Sequence, residues 1–234
     1  MINQASRWIA ISLCSLLLTA CGQVEKWYYC GYGQKNAQDS RHEVALELLG
    51  KCLDLQSLSA EQRAFYLQSR AWSYFSLDDF ENALSDQERS FRLVAPTTRD
   101  EFINYAAYLR MAGQVSKSLE PLREAEMLDE RLGLSNMMTQ YNLGWSLYEL
   151  GRYEAAIAAF SRGIPSQPDY PFVYFRRGLA YDRLGRSDEA NADFIEFVSF
   201  YENEEVVFNE RFENELGQLS GRYPELKVLL NEVK

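Results

Sequence analysis

The sequence predicts an all-α superhelix, a solenoid of four to five stacked helical hairpins closed at its C-terminal end by capping helices. Three observations carry that reading. The chain repeats itself: Gly144 and Gly178, Gly151 and Gly185, Ala156 and Ala190, and Phe160 and Phe194 are all offset by 34 residues. Small residues recur where two helices would cross closely, with large side chains such as Phe160, Tyr181 and Phe194 between them. Glycine recurs at the reversal between paired helices, where a helix C-terminus favours a residue that tolerates positive φ.

In chain order, residues 1–20 come first. They hold one positive charge, Arg7, an apolar run from Trp8 to Leu18, and the small pair Thr19, Ala20 before Cys21. That order is a secretory leader. The run is too short for a membrane-spanning helix, which takes about 20 apolar residues. Leu18-Thr19-Ala20-Cys21 resembles the bacterial lipobox, which implies acylation of Cys21 and removal of residues 1–20. Cys14 is the poorer site because Leu13 before it is too large. In the lipoproteins that this signal resembles, an aspartate after the cysteine retains the protein in the inner membrane, so with Gly22 there the resemblance implies outer-membrane placement, facing the periplasm. Two or more acyl chains give stable anchorage where one is marginal.

Removing Arg7 with the leader takes the formal charge from -10 to -11. Such an acidic body has no electrostatic reason to bind nucleic acid, which needs clustered Lys and Arg, or anionic headgroups. Membrane contact is therefore expected through the lipid anchor only. Of the thiols, Cys30 and Cys52 remain. In an oxidising compartment an even pair is expected to bridge, and two buried thiols acting as small hydrophobes is the alternative left open. With His42 the only histidine, no metal or cofactor is expected.

Residues 21–40 read as an anchor, a short tether and a degenerate first helix. The repeats follow over 41–200: a half copy at 41–57, then 64–97, 99–131, 137–170 and 171–200. The half copy carries Ala45, Leu46, Leu49, Cys52 and Leu53, so a Cys30–Cys52 bridge would staple a terminal repeat that has only one neighbour. In the copy beginning at Arg99, Pro121 falls within the second helix. An internal proline costs roughly 3 kcal/mol, so that helix is expected to start late or bend. Residues 201–234 read as capping helices, with an apolar stripe of Phe208, Phe212, Leu216 and Leu219, then Pro224 opening a last helix that bears Leu226, Leu229, Leu230 and Val233.

The copy from Met137 to about Tyr170, with Leu143-Gly144, Leu147, Gly151, Tyr153, Ala156, Phe160, Gly163 and Pro168, resembles the tetratricopeptide repeat (TPR). The resemblance implies a concave strip lined by the first helix of each pair. Carried over position by position, it names Phe65, Gln68, Trp72 and Phe75, then Ile103, Ala107 and Arg110, then Tyr141, Trp145 and Tyr148, and finally Phe172, Phe175, Leu179 and Asp182. That set is rich in the aromatics that anchor interfaces and would suit an extended peptide or an amphipathic helix. Packing within the hairpins, or cover by the C-terminal helices, is the competing expectation. Asn104 and Asn142 fall at the asparagine places of the family's carboxylate clamp, but Gln68 and Met138 stand where cations are needed, so chaperone-tail binding is disfavoured.

Together with the lipobox, this build is similar to the NlpI-like tetratricopeptide lipoproteins. That implies a non-enzymatic scaffold or adaptor for proteins of the cell envelope, cell-wall hydrolases or a periplasmic protease among them. Pilotins and lipoproteins of β-barrel or secretin assembly share the same parts and remain open, as does homodimerisation through a terminal helix. No Ser-His-Asp or Cys-His set is in evidence, and Gly31-Tyr32-Gly33 lacks the strand and lysine of a phosphate loop. A peptidoglycan glycosidase would need a catalytic carboxyl group in a separate globular cleft. Almost no chain remains to build one.

Overall fold

The computed structural model describes residues 23–201 and 210–232. The leader, Cys21, Gly22, Glu204, Glu205 and Phe208 lie outside the described residues, as do Val233 and the side chains of Glu210, Leu229 and Leu230. Every regular element among the described residues is helical. None of their helices is long and apolar enough to cross a membrane. The chain divides into two compact units at Thr97/Thr98.

In the first unit residues 23–26 are helical and lead through a π-helical turn, Trp27–Gly31, directly into α1 (Tyr32–Gln38). Then come α2 (His42–Asp54), α3 (Ala60–Ser76) and α4 (Phe80–Leu93), each packed on the helix before it, with α1 also touching α3. Cys30 in the π turn is disulfide-bonded to Cys52 on α2, and both are buried beside Leu53, Leu58 and Leu67. Gly33 lies so close to α2 that a Cβ would stand 2.9 Å from Leu49. The α3 helix starts at Ala60, where Ser59 and Gln62 form a reciprocal capping box, so it runs a full turn ahead of the repeat frame at residue 64. At the α3–α4 turn Asp78 takes φ 59°, the left-handed conformation that glycine holds in the other copies. Asp79 then caps α4 by accepting from the Asn82 N–H.

The second unit holds α5 (Arg99–Met111), α6 (Leu119–Arg131), α7 (Met137–Glu149), α8 (Tyr153–Gly163), α9 (Pro171–Arg183), α10 (Ser187–Ser199), α11 (Glu210–Leu219) and α12 (Pro224–Glu232). The pairs α5/α6, α7/α8 and α9/α10 are hairpins, and the first helices are also neighbours, α5 with α7 and α7 with α9. Gly113, Gly151 and Gly185 stand at the turns with φ 76°, 72° and 71°. Pro121 is accommodated by a late start: a 3-10 turn, Val115–Ser118, precedes α6, which puts the proline in the helix's first turn, where its missing N–H would have no partner in any case.

The recurring small residues have a direct steric cause. A Cβ on Gly144 would lie 2.6 Å from the Phe160 ring, and one on Gly178 would lie 2.7 Å from the Phe194 ring. Each glycine lets a phenyl ring fill the crossing inside its hairpin. The hairpins α3/α4 and α9/α10 share a second device that the 34-residue pattern did not reveal. Arg70 donates twice to Asp86 at 2.6 and 2.9 Å, and Arg177 donates twice to Asp193 at 2.8 and 2.7 Å. Both pairs are largely buried and bidentate, the geometry in which a guanidinium and a carboxylate match best.

Candidate functional site

The strip named from the repeat frame divides into an open part and a covered part. On α3 in the first unit, Phe65 and Trp72 are 49% and 44% exposed, while Gln68 and Phe75 are half-buried. Trp72 stacks on Phe75 with ring centroids 6.0 Å apart, and Phe75 meets Phe80 of α4 edge-on at 5.6 Å. Residues 65, 68, 72 and 75 share one helix face by their spacing of three and four. The border on the α1 side is polar, since Ser69 and Gln34 are hydrogen-bonded through their side chains. This part presents aromatic surface beside amide and hydroxyl groups.

The second unit is different, and there the strip is packed and covered, one of the two alternatives that the sequence left open. Ile103, Arg110, Tyr141, Phe175 and Leu179 are buried; Ala107, Trp145, Tyr148, Phe172 and Asp182 are half-buried. Tyr170, in the loop before α9, packs edge-on against Tyr141 at 5.1 Å. Phe212 of α11 sits 4.7 Å from Phe175 and 5.6 Å from Phe172. Arg222 donates to both carboxylate oxygens of Asp182 at 2.7 and 3.0 Å, and the Tyr223 hydroxyl donates to the same group at 2.7 Å. The α11/α12 hairpin therefore covers the α9 end of the strip. A last hairpin would otherwise leave Phe194, Phe197 and Phe175 without a neighbour to bury against, and the stripe Phe212, Leu216, Leu219 and Leu226 supplies that neighbour.

Within the second unit Trp145 stands against two guanidinium groups, Arg110 of α5 at 4.1 Å and Arg176 of α9 at 4.3 Å from the ring centroid. Such contacts strengthen when they are desolvated, and both arginines are buried. Arg110 donates to Asn142 Oδ1 at 3.2 Å and to Ser146 Oγ at 3.4 Å. Arg176 pairs with Glu215 of α11 at 3.0 Å. The Trp145 indole N–H donates to Glu149 at 2.9 Å. Sequence reasoning missed Arg176 and Glu215, because the family's groove places name Phe175 and pass over the residue beside it. The opposite charges at 176 and 215 were visible, but nothing in their spacing announced that they meet.

Burial pushes up the Tyr108 and Tyr170 hydroxyls, and Tyr170 is raised further by Tyr141 beside it. Burial also raises Tyr141, against the pull of Arg176 and Arg110. None of these groups is poised for acid–base work near neutral pH. Among the described residues no group of three or more His, Cys, Asp and Glu is placed to hold a metal ion.

Stacked helical hairpins with glycine-seated rings define a helical-repeat fold of the tetratricopeptide type. Two models of that family match, one described as a TPR repeat over residues 141–185 and one as a tetratricopeptide repeat over 173–204. The chain is 25% identical over 133 residues to small glutamine-rich tetratricopeptide repeat-containing protein 2 of Mycosarcoma maydis. That alignment takes in 56% of this chain and 36% of the relative, so the chain spans about a third of its length. Among solved structures, MamA is similar with a TM-score of 0.61 at 20% identity, over 78% of this chain and 98% of MamA. YrrB, titled as a TPR protein with an unusual peptide-binding site, has a TM-score of 0.58 at 18% identity, over 75% of this chain and 86% of its own. Tetratricopeptide repeats are thus present in residues 141–204, and the fold is that of tetratricopeptide proteins.

Proposed function

We propose that this chain is a non-enzymatic adaptor, acylated at Cys21, that stands on the periplasmic face of an outer membrane and holds peptide segments of envelope proteins against the α3 strip. Tetratricopeptide repeats imply protein or peptide partners, and YrrB is a peptide-binding case of the same fold. The observation that carries the reading is the contrast along the strip: Phe65 and Trp72 keep their rings exposed on α3, while Phe175 is buried and its end of the strip is covered by α11 and α12. Exposed, contiguous aromatic surface on a rigid helix is the chemistry that anchors a peptide. By resemblance to the NlpI-like lipoproteins, the partners are cell-wall hydrolases or a periplasmic protease.

The test is photocrosslinking in intact cells from a reporter at Gln68, with the trapped proteins identified by mass spectrometry. Phe65→Glu together with Trp72→Glu is expected to abolish capture while leaving far-UV circular dichroism unchanged. Capture that persists in the double variant refutes the α3 site. Release of muropeptides by the purified protein would refute the non-enzymatic part.

A further inference from the structure

The first described segment has two faces of opposite character. One is committed to the protein: Lys26 donates to Gln62 Oε1 at 2.7 Å, Cys30 is bonded to Cys52, and Gly33 lies against Leu49. The other carries Val24, Trp27, Tyr28 and Tyr32, which are 64%, 66%, 49% and 42% exposed. Positions 24, 27, 28 and 32 fall on one side of a helix. The π turn Trp27–Gly31 lengthens the repeat locally and aligns residues five apart. Trp27 accordingly meets Tyr32 edge-to-face at 5.3 Å, and Tyr28 lies 5.4 Å from Tyr32. The three rings form one exposed cluster.

What covers such a cluster follows from its place in the chain. Trp27 comes six residues after Cys21, the lipobox cysteine. Even a fully extended chain puts it no more than about 20 Å from that thiol. Acyl chains on Cys21 would therefore hold the cluster at the headgroup layer. Trp and Tyr, with an apolar ring and one polar hydrogen-bonding end, are the side chains that collect in that layer. Charge does not provide the attraction, because the body is acidic.

We propose that Trp27, Tyr28 and Tyr32, with Val24, seat in the interfacial layer of the bilayer that holds Cys21, so that the protein grips the membrane with a helix face as well as with its lipid. The proposal rests on the lipoprotein reading above. It adds a second contact, one that fixes how the first unit faces the membrane instead of leaving it on a loose tether.

The test uses the full acylated protein carrying Trp72→Phe and Trp145→Phe, which leaves Trp27 as the only tryptophan of the processed chain. It is reconstituted in phosphatidylcholine vesicles with acyl chains brominated near the glycerol. Trp27 emission is expected to shift to the blue and to fall by about half or more, as for a ring in the interface. A companion protein that keeps Trp72 and replaces Trp27 and Trp145 by Phe is expected to show no quenching. If the acylated protein floats with the vesicles while Trp27 keeps a water-like, unquenched emission, the seating is refuted and the lipid anchor stands. If mass spectrometry finds Cys21 unmodified in the native protein, the lipoprotein reading falls, and the seating falls with it.

Discussion

Gly144 and Gly178 decide how closely the paired helices pack. A methyl group at Gly144 would press 2.6 Å from a Phe160 ring that is itself fully buried. Overpacking of this kind costs about 1–3 kcal/mol, against a gain of roughly 1 kcal/mol from replacing glycine inside a helix. Gly144→Ala is therefore expected to lower stability by up to about 2 kcal/mol in urea unfolding, from the difference of those two effects. In a Phe160→Leu background the same change should be neutral or stabilising, because the clash is gone. If Gly144→Ala stabilises the otherwise unaltered protein, the steric explanation is wrong. The glycine was legible in the sequence as one member of a repeated pair. Its partner ring was legible too, since Phe160 and Phe194 recur at the same offset.

At the scale of the hairpin, the Arg177–Asp193 pair joins α9 to α10 where both side chains are largely withdrawn from water. Removing one partner of such a pair costs about 3–5 kcal/mol, because a charge is left buried without compensation. Arg177→Ala should show a loss of that order in chemical denaturation, and Arg177→Met with Asp193→Leu a much smaller one. The pH dependence follows in sign. Burial holds the Asp193 carboxyl above its ordinary value against the pull of Arg177. In Arg177→Ala that pull is gone, so the folded pKa lies further above the unfolded one. The neutral acid suits the fold, and the stability it contributes is present below the unfolded value of about 4 and is lost as pH rises through the folded value. The variant's deficit should therefore shrink as pH falls from 8 toward about 4. A deficit that grows on acidification would show that Asp193 is not the buried charge responsible. Both pairs occupy the seventh and twenty-third places of their copies, but the two intervening copies put Tyr105 with Pro121 and Leu143 with Ala159 there, so no run of repeated charge marked them in the sequence.

For the molecule as a whole, Tyr108, Tyr141 and Tyr170 all have hydroxyls raised by burial. Their folded values lie above the unfolded value of about 10, so the fold keeps its full contribution from them below that pH and loses it as the unfolded chain begins to ionise. Alkaline titration at 295 nm should show these three staying protonated well above pH 10 until a cooperative unfolding step, read by circular dichroism, releases them together. Smooth ionisation of every tyrosine near pH 10 with the helices intact would contradict their burial.

The sequence by itself determined the all-α repeat, the hairpin order, the turn glycines and the need for the helix holding Pro121 to start late or bend. Each of these is local chemistry or a fixed period, and a period survives in one dimension. It also marked Cys30 and Cys52 as a possible pair and Phe212, Leu216 and Leu219 as an apolar face in search of cover. Only the tertiary structure decided which strip residues stay open. Phe65 and Phe172 occupy the same place in their copies, yet one ring is exposed and the other lies under Phe212. The difference arises because a side chain's exposure depends on the neighbour that packs over it, and within the second unit α11 sets Phe212 against the Phe172 ring.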